Sequence, residues 1–134
     1  MHPSDLCTEQ EISDMVHSFY ARIRQDEVLG PVFNAHIQDW DHHLLTLIDF
    51  WSAILRGSRR FTGAPMPKHF ALPNLSAELF DRWLALFRET TAAQPNRAMG
   101  ERAYGMAQRI AQSFWHGYQL GHDPDGVPTK LCNG

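Results

Sequence analysis

Two of the eight histidines in this 134-residue chain stand among apolar side chains in a way that could support metal chemistry. His69 follows Pro67 and Lys68 in a proline-bounded stretch, and His43 lies in an aromatic-rich segment that includes Phe50. Two imidazoles on different segments can face each other across a flat hydrophobic cofactor, one holding an iron atom while the other meets the ligand on the far side. The alternative is a helical protein with ordinary core histidines.

Motifs for several other chemistries are missing from the sequence. It contains no HExxH zinc motif, no phosphate-binding glycine loop and no G-x-S-x-G elbow. Cys7 and Cys132 form no CxxC or CxxCH motif, so neither a thiol redox pair nor a covalently attached c-type haem is predicted. His42 and His43 are adjacent, which places them about 100° apart on a helix and prevents joint chelation. A zinc site built from His36, His42 and a carboxylate remains an alternative, without a recognised ligand spacing.

Composition and charge are those of an ordinary soluble globular chain, with 43% hydrophobic residues and a net charge of −3. Such a charge provides no basic field for nucleic acid or an anionic membrane. The longest apolar run, residues 44 to 55, is shorter than the ~20 residues that cross a bilayer. The first residues also lack the charged start and apolar run of a signal peptide. We therefore expect a cytoplasmic protein with neither nucleic acid nor a membrane as partner.

Capping signals and hydrophobic periodicity predict helices throughout the first part of the chain. Thr8-Glu9-Gln10-Glu11 reads as a capping box, after which apolar residues recur at steps of three and four. This helix is expected to end near Leu29-Gly30-Pro31, followed by a short connection over residues 32–38. Asp39 then caps a second helix that runs to about Arg56.

The remainder of the chain is predicted to be helical after a long irregular stretch. Residues 57–74 have no helical period, and a structureless stretch of that length is usually functional. Ser76 caps a third helix to about Thr91, and a fourth follows Pro95-Asn96. The predicted organisation is all-α, in three parts: an N-terminal extension (1–10), one domain (11–120) and a disordered tail (121–134).

A haem site would account for more of these residues than a zinc site. Haem iron needs one strong axial ligand, which His69 can supply, and the porphyrin needs two apolar walls. Arg59 and Lys68 are candidate partners for the haem propionates, because cations match carboxylates. The candidate wall residues are Phe33, Phe50, Trp51, Phe70, Leu72, Leu79 and Phe80.

The chain resembles the group III truncated haemoglobins over about residues 11 to 118. The resemblance rests on the order and spacing of several motifs, of which none is diagnostic alone. His43 stands eight residues before Trp51, and the Gly-Gly pairs that the group lacks are also missing here. The other matching segments are Phe19-Tyr20, Leu29-Gly30-Pro31-Val32-Phe33, Gly63-Ala64-Pro65, Lys68-His69, Leu72-Pro73 and Phe80-Asp81-Arg82-Trp83.

The resemblance implies a 2-on-2 helical sandwich around a non-covalent haem b. By position, His69 matches the proximal iron ligand of the family, and Phe33 matches the phenylalanine that packs on the porphyrin. The distal ligand-binding positions correspond to Tyr20, His43, Leu47 and Trp83.

The implied function is binding of O2, NO, CO or a similar small ligand at the haem iron. Hydrogen-bond donors around the ligand favour ligand chemistry or detoxification over bulk oxygen transport. One alternative is a haem enzyme, either an NO dioxygenase or a peroxidase-like protein, served by a reductase. A second alternative is a haem-free helical regulatory bundle.

Overall fold

The computed structural model of the protein describes residues 6–57 and 76–122, and these residues form five helices without a strand. The predicted all-α class is thereby confirmed. The helices are α1 (Glu9–Gln25), α2 (Leu29–His36), α3 (Trp40–Arg56), α4 (Ala77–Ala92) and α5 (Arg97–His122).

The N-terminal end of α1 has both hydrogen bonds of the predicted capping box. The Glu11 backbone N–H donates to Thr8 Oγ1 at 3.1 Å, and the Thr8 N–H donates to Glu11 Oε1 at 2.9 Å. The preceding residues also pack onto the fold, because Cys7 is 4% exposed and its carbonyl accepts a hydrogen bond from Arg56 at 2.6 Å. The start of α1 is therefore fixed both locally and against α3.

A separate helix, α2, occupies the segment that the sequence predicts as a helix end and a connection. The prediction was wrong because Gly30-Pro31 lies inside the first turn of α2. Proline is tolerated there because its missing N–H would have no helical partner. The two N–H groups at the start of α2, those of Val28 and Leu29, instead donate to the side chain of Asp26 at 3.1 and 2.9 Å.

The predicted boundaries of α3 and the start of α4 are confirmed. The Asp39 carboxylate accepts from the His42 N–H at 3.1 Å, and Ser76 Oγ accepts from the Leu79 N–H at 3.3 Å. Gly57 ends α3 with φ 71°, a left-handed conformation that favours glycine.

Helices α4 and α5 approach each other closely just after the predicted break. A side chain on Gly100 would place its Cβ 2.6 Å from the Thr91 carbonyl oxygen, so only glycine fits there without a backbone shift. Asn96 begins α5 by accepting from the Met99 N–H at 3.0 Å. The helix continues to His122, two residues into the predicted tail, and residues 123–134 lie outside the described residues.

The core is formed by the inner faces of α1, α3, α4 and α5. Phe19, Ile12 and Met15 of α1 are at most 1% exposed, as are Leu84 and Phe87 of α4. Within the described ranges, no helix is long and apolar enough to cross a membrane.

Candidate ligand-binding site

Tyr20 lies at the centre of a group of aromatic side chains contributed by four helices. Its side chain projects from α1 and is 5% exposed. The indole N–H of Trp83, on α4, donates a hydrogen bond to the Tyr20 hydroxyl. Burial raises the pKa of Tyr20 well above its usual range, and the hydrogen bond from Trp83 opposes that rise only in part. The side chain is therefore a neutral phenol at any physiological pH.

Two aromatic rings from α2 and α3 face the Tyr20 ring. The Phe33 ring of α2 meets it edge-on with a centroid distance of 6.2 Å. The His43 imidazole of α3 is perpendicular to it, at 5.7 Å and 89°. His43 is half-buried, and its Nε2 atom lies out of reach of solvent. Four of the residues implied by the family resemblance, Tyr20, Phe33, His43 and Trp83, thus come together.

Trp40 also belongs to this group, although it was not among the site residues predicted from the sequence. Its ring lies 6.0 Å from that of Tyr20 and 5.7 Å from that of His43. Trp40 precedes His43 by three residues, a spacing that places two side chains on the same face of a helix. This spacing is the feature of the sequence that could have predicted Trp40 as a neighbour of His43. The guanidinium of Arg24 sits 4.6 Å above the Trp40 ring. This cation–π contact joins the C-terminal part of α1 to the start of α3.

The polar atoms of this group form a set of donors in apolar surroundings. An indole N–H can only donate, so the Tyr20 oxygen accepts from Trp83 and its own proton stays available for a second acceptor. Placed among aromatic rings, such a proton interacts strongly with a polar ligand because little water competes for it. The arrangement can therefore hold a small ligand that carries partial negative charge.

Apart from Phe33 on α2, the predicted wall residues within the described part of the chain lie on α3 and α4. Leu47 and Phe50 are half-buried and pack against the core, while Phe80 is 9% exposed and its ring lies 5.7 Å from that of Trp115. Trp51 is 3% exposed and stacks on Phe87 at 5.2 Å. Trp51 thus contributes its ring to the packing of α3 on α4, whereas Leu47 and Phe50 retain partly exposed apolar surface.

The remaining predicted site residues fall outside the part of the chain that the structure describes. They are Arg59, Lys68, His69, Phe70 and Leu72. The proximal half of the predicted site therefore remains a prediction. The zinc alternative has one member, His36, whose side chain is also outside the described set. Among the residues that are described, no three His, Cys, Asp or Glu side chains are grouped to hold a metal ion.

Comparisons with known proteins identify the family. The family model for bacterial-like globins matches residues 5–114. The chain is 34% identical over 110 residues to the group 3 truncated hemoglobin ctb of Campylobacter jejuni, a match that covers 79% of this chain and 87% of the relative. The crystal structure of a group III truncated hemoglobin from Campylobacter jejuni superimposes with a TM-score of 0.78 at 30% identity, covering 90% of this chain and 96% of that one.

The chain belongs to the bacterial-like globins and, among them, to the group III truncated haemoglobins. Membership makes it a haem-binding globin, a class whose ligands are small gases such as O2. The described residues fit that cofactor, because the buried phenol of Tyr20 and the indole of Trp83 supply donors beside the apolar side chains of Leu47 and Phe50.

Proposed function

We propose that this globin binds O2 and other diatomic ligands at a non-covalent haem b, and that it serves ligand chemistry or detoxification of O2 or NO rather than bulk oxygen transport. The buried phenol of Tyr20 carries the proposal, with the Trp83 indole beside its hydroxyl and the Phe33 and His43 rings against its own ring. When bound, haem supplies an iron that coordinates the ligand.

Tyr20 is the proposed donor to the ligand. Its hydroxyl oxygen accepts from Trp83, so the phenolic proton can turn toward a bound ligand without losing that bond. Trp83 thereby orients the donor, and His43 and Leu47 complete the distal side, with His43 perpendicular to the Tyr20 ring. Because these groups are already in place before a ligand enters, little reorganisation opposes the interaction.

Removal of the Tyr20 hydroxyl tests the donor role. A hydrogen bond to a ligand in a water-poor pocket contributes about 1–3 kcal/mol, which corresponds to a 5- to 150-fold change in the dissociation rate. Stopped-flow measurement should therefore find faster O2 release from Tyr20→Phe by a factor in that range. Tyr104→Phe, which removes a hydroxyl beside an open pocket between α4 and α5, is the control. An unchanged rate in Tyr20→Phe would exclude the donor role.

His69 is the proposed proximal ligand, on the strength of its place in the Lys68-His69 motif of the matching pattern. We further propose that Arg59 and Lys68 pair with the haem propionates and that Phe33, Phe50, Trp51, Phe70, Leu72 and Phe80 contact the porphyrin. The absorption spectrum of the reduced CO complex should change in His69→Gly and recover when imidazole is added. The exposed His116 provides the control as His116→Ala. A wild-type spectrum from His69→Gly would contradict the assignment.

A second candidate function is enzymatic, either NO dioxygenation or peroxide chemistry, supported by a reductase. The same donors favour it, because an oriented phenol can polarise an oxygen–oxygen bond. Reductase-coupled consumption of NO by the oxygenated protein would distinguish this enzyme from a simple ligand carrier. Failure of the wild type to develop a Soret band with haemin would instead favour a haem-free regulatory bundle and overturn both.

A further inference from the structure

An ion pair binds the C-terminal end of α1 to α4. It lies next to the ligand-binding group, which consists of Tyr20, Phe33, Trp40, His43 and Trp83. Arg82 Nε lies 2.7 Å from Asp26 Oδ2, and Arg82 Nη2 lies 2.9 Å from Asp26 Oδ1. This two-point geometry fixes the direction of the guanidinium as well as its distance. The Asp26 side chain is 8% exposed, although that of Arg82 is 44% exposed. The acidic partner of the pair is therefore buried, whereas the basic partner is in contact with solvent.

Asp26 also holds the beginning of α2. The same carboxylate accepts from the backbone N–H groups of Val28 and Leu29, and the Arg82 hydrogen bond lowers the pKa of Asp26 to about 2, with help from these two backbone bonds. The helix that begins there carries Phe33, which meets the Tyr20 ring. Asp26, the C-cap residue of α1, thus binds α2 and α4 through its carboxylate, and each of these three helices supplies a side chain to the ligand-binding group.

The ion pair and the Tyr20–Trp83 hydrogen bond act on neighbouring residues of α4. Arg82 and Trp83 are adjacent, so their side chains leave the helix about 100° apart. Asp26 is the C-cap of α1 and follows Tyr20 by six residues, roughly 9 Å along the axis at 1.5 Å per residue. Attachment at two separated points of α1 restricts both rotation and sliding of α4. Without the ion pair, α4 could turn and carry the indole N–H away from the Tyr20 hydroxyl.

We infer that Asp26 and Arg82 are positioning residues, which set the Tyr20–Trp83 hydrogen bond and the place of Phe33 without touching the ligand. The effect on ligand release rests on the proposed function. The effect on the hydrogen bond between Tyr20 and Trp83 does not.

Solvent exchange of the Trp83 indole proton tests the positioning role directly. Nuclear magnetic resonance spectra of the haem-loaded protein resolve indole protons, and Trp83→Phe assigns the one that matters. In Arg82→Gln we expect that proton to exchange about two- to fivefold faster, the range for loss of a partly exposed ion pair. Arg82→Lys should fall between wild type and Arg82→Gln, because lysine restores the charge but not the two-point geometry.

Two further variants separate positioning from general stability. Asp26→Asn retains a side-chain oxygen for the N–H groups of α2 but removes the charge, so it should reproduce the faster exchange of Arg82→Gln. Arg56→Gln removes an ion pair far from Asp26 in the sequence, in which Arg56 Nε lies 3.3 Å from Glu9 Oε1. It should lower the stability and leave Trp83 exchange unchanged. Wild-type exchange in folded Arg82→Gln and Asp26→Asn, or equally fast exchange in Arg56→Gln, would overturn the inference.

The rate of O2 release completes the experiment. Arg82→Gln should accelerate release less than Tyr20→Phe does, and it should add nothing in the Tyr20→Phe background, because it acts through that hydroxyl. If Trp83 exchange responds while Tyr20→Phe leaves release unchanged, the positioning role stands and the proposed function fails. Full additivity of the two substitutions on release would overturn action through Tyr20.

Discussion

Replacement of Tyr20 by phenylalanine probes the hydrogen bond that joins α1 to α4. Phenylalanine keeps the ring, which is in edge contact with Phe19 at 4.9 Å, and removes only the oxygen that accepts from Trp83. A buried donor left without its acceptor costs about 1–3 kcal/mol. Because Trp83 is half-buried, water can reach the indole more easily than in a closed core, and we expect a loss in the lower quarter of that range.

The assay is unfolding by urea and by heat, followed by helical circular dichroism. A loss of about 1–1.5 kcal/mol corresponds to a fall in Tm of roughly 3–9 °C for a domain of this size. The single variants Tyr20→Phe and Trp83→Phe and the double variant form a cycle in which their coupling should be about 1 kcal/mol. Tyr104→Phe serves as the control and should change the stability by less than about 0.5 kcal/mol.

The cycle can refute the reasoning even if every variant is less stable than the wild type. Trp83→Phe also removes indole surface that stacks on Phe87 at 5.5 Å, so its own loss will exceed that of Tyr20→Phe. The coupling removes this contribution. Additivity of the two losses within about 0.3–0.5 kcal/mol would mean that Tyr20 and Trp83 contribute independently.

Three further predictions follow from local geometry and charge. Gly100→Ala should destabilise the protein by about 1–3 kcal/mol, because the added Cβ has no room beside α4. Gly105→Ala should instead stabilise α5 by about 0.5–1 kcal/mol, because no atom lies within 4 Å of its Cβ position. A lower Tm for both variants would contradict this prediction. The pKa of Asp26 lies near 2 rather than 3.8, so its contribution to stability is present above about pH 4 and lost as the pH falls toward 2. The difference in urea midpoint between wild type and Arg82→Gln should therefore shrink over that interval, and a constant difference would argue against the ion pair. Because the pKa of Tyr20 is raised, its stabilising effect is present below about pH 10 and is lost above it. In an alkaline titration, the wild type should therefore gain the absorbance of one more tyrosinate than Tyr20→Phe only once alkali has unfolded the protein. The same difference between the folded proteins would show that Tyr20 ionises in the folded state.

The residues at which α1, α3 and α4 begin were predicted correctly from the local sequence, because the hydrogen bonds that cap a helix span only a few residues. Thr8 with Glu11, Asp39 with His42, and Ser76 with Leu79 each pair a side chain with a backbone group three positions away. The exception was α2. Gly30-Pro31 usually ends a helix, but here Asp26 supplies the acceptor for the first free N–H groups, so the same residues begin one.

The family resemblance predicted four members of the ligand-binding group. It did not predict Trp40, nor the ion pair that positions the group. Trp40 went unselected because an aromatic residue at the start of a helix is more often ordinary packing. Asp26 and Arg82 went unselected because they are 56 positions apart, and each alone resembles a solvated surface residue. Their relation depends on how α1 crosses α4, which no local pattern encodes.

The helical class, most helix boundaries and the family could be predicted from the sequence, because caps, periodicity and motif order are properties of neighbouring residues. Which polar atoms meet depends instead on how the helices pack. Three features arise where distant segments pack: the burial that keeps Tyr20 a neutral phenol, the indole beside its hydroxyl, and the Asp26 carboxylate shared by α2 and α4. Removal of water at those contacts is what converts ordinary side chains into oriented donors.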